Sequence, residues 1–176
     1  MLITKTLYDV LADDIQDLYS AEQHQIRALE KMKVAVSNSL VRKIFSKHLE
    51  QVRSHALRIV EAATSVRIPH DGKQCSGMMG IALDMERYIR SEACYARDIQ
   101  LICTAQKMIN YELVAYSSAC AVTDLLKMPK VGKLLQTNLA EKKEAKAELA
   151  SIGDCGSPSV QFVQPPAEIF KPRKAV

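Results

Sequence analysis

Glu22 is the residue from which chemistry can be argued. It lies in line with Leu11, Ile15, Leu18, Ile26 and Leu29, the three- and four-residue steps that mark one face of a helix. A carboxylate in an apolar stripe is costly unless a cation, a proton or hydrogen bonds meet it. In a helix bundle, a metal held between helices meets that need. Three further segments offer residues to the same interior. His48 and His55 flank an apolar face formed by Val41, Phe45, Val52 and Ile59. Glu112 borders a stripe of Ile102, Ile109, Leu113 and Tyr116. Lys142 and Lys146 continue the line of Leu135, Leu139 and Leu149, with Glu141 and Glu144 beside them. Oxygen ligands at several positions bind hard cations, whereas an ammonium in the same place answers an acid without a metal.

Long helices must position these residues. The first is expected to begin near Thr4 or Thr6, either of which could cap it, and to run to about Val36. Ser37-Asn38-Ser39 has turn and capping chemistry, and a second helix follows as far as the turn-rich Ile68-Pro69-His70-Asp71-Gly72. Two such helices make an antiparallel hairpin. Gln74 to Ile89 reads as a shorter amphipathic crossover element, with Met78, Ile81, Met85 and Ile89 at helical steps. A long helix is expected from about Ser91 to Leu126, broken by Met128-Pro129, where Pro129 suits a first-turn position. The last covers about Lys130 to Ile152, with Gly153 as its cap. Two hairpins joined by a long crossover give an all-α fold, the ferritin-like antiparallel four-helix bundle with a short extra helix in the crossover.

The bundle is expected to occupy residues 1–153. Residues 154–176 hold four of the six prolines and no helical period, which predicts an extended or disordered tail. The five cysteines are odd in number, widely spaced and without a C-x-x-C pair, so reduced thiols are expected instead of a disulfide framework or zinc site. The net charge of +4 is too small to argue for nucleic acid on its own. No apolar run approaches a membrane span, and Met1-Leu2-Ile3-Thr4-Lys5 lacks a signal-peptide pattern, so a cytoplasmic protein without a membrane partner is expected.

Asp17-Leu18-Tyr19-Ser20-Ala21-Glu22-Gln23, His48-Leu49-Glu50, Ala105-Gln106-Lys107, Tyr111-Glu112 with Ala115-Tyr116, and Lys133-Leu134-Leu135-Gln136 through Leu139 resemble the YciF/YciE family of bacterial ferritin-like proteins. The resemblance runs from about residue 4 to residue 152. It implies a bundle that is commonly dimeric, linked to stress responses, with a dinuclear metal site of the rubrerythrin type.

The chain departs from that pattern at the site itself. Gln51 stands where the family carries Glu, Ile109 and Asn110 replace its usual Glu and His, and Lys142 and Lys146 take the places of inward-facing acids. None of the four histidines has an acid three residues before it, so the Glu-x-x-His signature is missing. The residues left for a metal are Glu22, His48 (or His55), Glu112 and Glu141 (or Glu144). The alternative is a buried network of Glu22, Lys142, Lys146 and Gln51, joined by Glu112, with His48, Gln106 and Asn110 hydrogen-bonding nearby. Set against both, the lysines snorkel to the surface and Glu112 is solvated.

Three functions follow. The first is a non-catalytic structural or interaction module, a homodimer with no cofactor and a degenerate metal site. The second is a working ferritin-like metalloprotein, with two irons or a single divalent metal, protecting against oxidative stress with Tyr19 and Tyr111 tuning redox. The third is a DNA-associated stress protein using Lys127, Lys130, Lys133, Lys142, Lys143, Lys146 and the tail residues Lys171, Arg173 and Lys174. No nucleophile–base pair, phosphate loop or nucleotide fingerprint is present, which sets aside conventional hydrolases, kinases and dehydrogenases. No catalytic residue is assigned, and the sequence decides neither for nor against an enzyme.

Overall fold

Side-chain caps fix where the first two helices start. Thr6 accepts the Asp9 backbone N–H at 3.2 Å while the Asp9 carboxylate accepts the Thr6 N–H at 2.8 Å, a reciprocal capping box. Asn38 likewise caps the second helix by accepting from the N–H groups of Leu40 and Val41. The computed structural model describes residues 6–153, which form α1 (Leu7–Ala35), α2 (Ser39–Ser65), α3 (Ser76–Ile89), α4 (Tyr95–Leu125) and α5 (Pro129–Gly153). Pro129 is the first residue of α5, where its missing N–H matters least. α4 starts four residues later than the sequence suggests, because Ser91 closes a turn on the Tyr88 carbonyl. The tail expected over 154–176 lies outside the described residues, as does Met1 to Lys5.

Contacts between helices settle the topology. α1 packs on α2 and α4, and α5 packs on the same two, so α1 and α5 stand diagonally across the bundle. α1 and α4 are antiparallel: Ala35 meets Arg97 while Glu22 meets Tyr116. α2 and α5 are antiparallel too, Lys47 reaching Glu148 and Arg58 reaching Asn138. α2 and α4 therefore run the same way, and the chain between them must travel back along the whole bundle. α3 makes that return beside α1, with Cys75 at Ser20 and Glu86 at Lys31, and covers the seam between α1 and α4.

The apolar interior falls into two halves. One contains Met32, Phe45, Val52, Ile109 and Leu149; the other contains Leu11, Leu18, Ile59, Tyr116 and Leu135. Between Leu18 and Leu29 of α1, Val52 and Ile59 of α2, Ile109 and Tyr116 of α4, and Leu135 and Leu149 of α5, each helix turns polar side chains inward. The candidate site is this polar layer.

A polar layer in the bundle core as the candidate functional site

At the centre of the layer is Lys142, with no exposed surface. Its Nζ donates to Glu22 Oε2 at 2.9 Å, to Gln25 Oε1 at 2.5 Å and to Glu112 Oε2 at 2.5 Å. Three acceptors match the three protons of an ammonium. All four residues are fully buried, so this is an interior ion-pair cluster drawn from α1, α4 and α5.

A second row of bonds supports the first. Tyr116 donates its hydroxyl to Glu22 Oε1 at 2.6 Å, and Asn138 donates to that hydroxyl at 3.0 Å and to the His55 carbonyl at 3.2 Å. His55 lies between two carboxylates: Nε2 is 2.9 Å from Glu141 Oε2, and Nδ1 is 3.5 Å from Glu22 Oε1. Arg58, near the surface, donates to both Glu141 and Asn138 at 2.9 Å. Glu141 is partly exposed and ends the row at solvent. By contrast, neither ring nitrogen of His48 has a hydrogen-bond partner although the residue is buried, and Gln25 Nε2 and Glu112 Oε1 are also unpartnered.

These contacts set the charges. Burial pushes the Glu22 carboxyl upward, but Lys142, His55 and Tyr116 outweigh it and hold the group down at about 2. Burial and the neighbouring Glu22 charge push Glu112 up to about 8, against the pull of Lys142. Two acids therefore share one ammonium, and Glu22, with more donors aimed at it, is the anion while Glu112 keeps its proton. Burial and the Lys142 ammonium hold the His48 imidazole down to about 3, so it is neutral. The cluster as a whole carries no net charge.

The sequence expectations divide on this geometry. Glu22, Glu112 and Lys142 meet. Glu112 is fully buried instead of solvated, because α4 is covered by α1, α3 and α5. Lys146 is exposed and takes no part: the buried line of α5 leans toward Asn138 and Ala145, leaving Lys146 on the opposite flank. Gln51 is half-buried on the rim of the α2 face and makes none of the cluster's contacts. Gln106 donates to the Leu149 carbonyl, and the exposed Asn110 bonds back to Gln106, so neither joins the network. Glu144 is exposed, and Glu141 reaches Glu22 only through His55. Tyr19 packs edge-on against His70 while Tyr111 donates to Asp17, both in separate surroundings. Nothing in the sequence marks Gln25, Asn138, Tyr116 and Arg58 as partners, yet each lies three or four residues from Glu22, Lys142, Glu112 and His55 respectively, on the same helix face.

The donor set does not fit two divalent cations. Such a pair needs about four carboxylates facing one another, whereas the layer offers two fully buried ones, both already hydrogen-bonded by one ammonium. Among the described residues no group of three or more His, Cys, Asp or Glu side chains is placed to hold a metal. The described cysteines are free thiols, Cys75 and Cys120 buried, Cys94 and Cys103 exposed. Among the described residues no helix is long and apolar enough to cross a membrane.

Comparison with known proteins agrees with this architecture. The chain is 33% identical over 152 residues to Protein YciF of Escherichia coli (strain K12), covering 84% of this chain and 90% of that one. The crystal structure of the E. coli stress protein YciF superposes with a TM-score of 0.81 at 32% identity, over 85% of this chain and 96% of that one. YcfI of Rhodopseudomonas palustris, for which a structural role has been suggested, superposes with a TM-score of 0.78 at 25% identity, over 83% and 94%. The sequence profile of the family described as Domain of unknown function (DUF892) matches residues 6–157. With the five helices and their polar layer inside that span, this chain belongs to the DUF892 family, alongside YciF.

Proposed function

We propose that this chain is a non-catalytic structural or interaction module of the stress-associated YciF type, cytoplasmic and homodimeric, in which a lysine ammonium takes the part that metals play in other bundles. The observation that carries the reading is Lys142 Nζ bonded at once to Glu22, Gln25 and Glu112 with no exposed surface. A divalent cation at this point would have to displace the ammonium and find a partner for it inside the core, at several kcal/mol. The suggested structural role of YcfI and the stress association of YciF support the assignment. The lysines at 127, 130, 133, 143 and 146 are exposed, but Lys142 is withdrawn from that face. DNA association would thus rest on an ordinary solvated helix surface.

Elemental analysis of protein purified without chelators from iron-rich medium tests the reading. The expected result is metal far below one equivalent per chain. Stoichiometric iron lost in Glu22→Ala would establish the metalloprotein alternative, with Glu22, His48, Glu112 and Glu141 as the residues to examine.

A further inference from the structure

α3 runs along α1 in the same direction, at a constant offset of 55 positions fixed by Ser20 with Cys75 and by Lys31 with Glu86. Between those two points the helices leave a groove of about 180 Å³ on the outside of the bundle. One wall is apolar. It comes from α3, where Met79, Ala82 and Leu83 line the groove and Leu83 is 59% exposed. A helix with apolar residues on several sides calls for cover on more than one, and α3 withdraws only Met78 and Met85 fully into the bundle.

The other wall is basic. α1 contributes His24, Arg27 and Lys31, at steps of three and four along one face. Each is answered differently. Lys31 is paired with Glu86, a bridge that closes one end of the groove. His24 is kept neutral by burial and then by the Arg27 charge, and its Nδ1 accepts from Arg27 Nη2 at 3.3 Å. Arg27 is therefore oriented by an uncharged partner, and among the described residues no carboxylate pairs with it.

We propose that this groove binds an aliphatic carboxylate of medium chain length, its head on Arg27 and its chain along Met79, Ala82 and Leu83. The charge follows from Arg27, whose planar fork matches a carboxylate through two parallel hydrogen bonds. The length follows from the volume: at about 30 Å³ for each water-sized group, the groove takes about six heavy atoms. An α-helix, about 10–12 Å across, does not enter such a space. An alkyl chain asks for no hydrogen bonds, and the one polar side chain on the α3 wall, Glu86, is already bound to Lys31. The groove shares no residue with the polar layer, so it stands or falls independently of the reading of Lys142.

Titrating the isotope-labelled full chain with octanoate, followed by amide chemical shifts, tests it, with octylammonium and octanol as matched probes. Saturable shifts are expected at His24, Arg27 and Leu83 with octanoate and none with octylammonium. Octanol, and octanoate with Arg27→Gln, should bind at least about tenfold more weakly, the loss of a charge-assisted contact. Leu83→Asp should abolish the shifts. Both residues are exposed, so circular dichroism should show both variants folded. Octylammonium matching octanoate, or Arg27→Gln binding as the wild type does, overturns the carboxylate. Shifts that never saturate, or that saturate only at other residues, overturn the site. Two further outcomes assign the groove to another occupant and equally overturn the proposal. Sedimentation showing dissociation of the protein as octanoate binds would make it a contact between copies. Shifts at the same residues from an acidic amphipathic peptide, but not from octanoate, would make it a seat for a partner helix.

Discussion

Replacing Lys142 by Met keeps an unbranched side chain, one atom shorter, and removes the charge, which tests what the ammonium contributes. Glu22 is held at about 2 against its ordinary 4.5, with Lys142 the largest of the groups pulling it down. At about 1.4 kcal/mol per tenfold in proton affinity the net effect is roughly 3.5 kcal/mol, shared by Lys142, His55 and Tyr116 after the cost of burial. Breaking one side of a buried pair typically costs about 3–5 kcal/mol. The pH dependence carries the sharper signature. In the wild type the Glu22 contribution is complete above about pH 4.5 and is lost as pH falls toward 2. Without Lys142, burial is left to raise the Glu22 carboxyl, so the variant gains stability by taking up a proton in mild acid. The gap between the two proteins should therefore be roughly 3 kcal/mol near pH 7 and shrink toward about pH 5. Urea unfolding followed by circular dichroism measures it, and heating should show a melting point lower by roughly 6–12 °C. A gap below about 1 kcal/mol, the size of a surface pair, or one equal at both pH values, would refute the buried ammonium.

Other perturbations separate the roles within the layer. Glu112 holds its proton up to about 8, so its contribution is complete below about pH 4.5 and declines as pH rises through 8. Glu112→Gln mimics the protonated form and should cost less than about 1 kcal/mol at pH 7 while flattening that decline, whereas Glu22→Gln strands the ammonium and should cost about 3; equal costs would contradict the assignment of the anion. His48 is neutral down to about 3, so its contribution is present above its ordinary 6.5 and is lost as pH falls. His48→Leu should reduce the acid sensitivity of unfolding between those values. Asp98, buried at the start of α4, accepts the Ser37 N–H at 3.0 Å and the Asn38 N–H at 2.9 Å across the bundle. Asp98→Ala should cost about 3 kcal/mol and accelerate hydrogen exchange at those two amides before the rest of the chain.

The parts of this site that are legible in the sequence are those where a helix buries one regular face. α1 does so, and Glu22 stands out because Leu18 and Ile26, four residues to either side, are apolar and Leu11, Ile15 and Leu29 continue the stripe. α4 is different: α1, α3 and α5 surround it, so a residue at the edge of the obvious stripe is still interior, and Glu112 reads as solvated when it is not. On α5 the two lysines look equivalent because a step of four links them. The buried positions instead run Leu135, Asn138, Lys142, Ala145, Leu149, alternating steps of three and four, and that alternation carries Lys142 inward and leaves Lys146 in water. Gln25 and Asn138 escape notice for another reason. An uncharged amide is unremarkable on a helix until the charge it must face is known, and here that charge arrives from a helix more than a hundred residues away. The Asp98 contact has no sequence signature at all, since its partners are backbone amides.

A single lysine suffices to set the charge balance of the layer. Two divalent cations would bring four positive charges and call for about four carboxylates; one ammonium brings a single charge and is balanced by Glu22 alone. With that balance set, a second carboxylate can stay in the core only by holding a proton, which is what burial imposes on Glu112. His48, facing a cation in place of another carboxylate, loses any reason to be charged. Ile109 is fully buried, and with the ammonium in place an acid there would add an uncompensated charge, whereas the half-buried Gln51 and the exposed Asn110 are under no such constraint. An acid placed at 142 would give the layer three buried carboxylates and no lysine to answer them. Lys142→Glu is therefore expected to be the most destabilising single change in the layer at pH 7, exceeding Lys142→Met. Recovery of its stability as the pH is lowered, followed by urea unfolding, is the measurement that would bear this out.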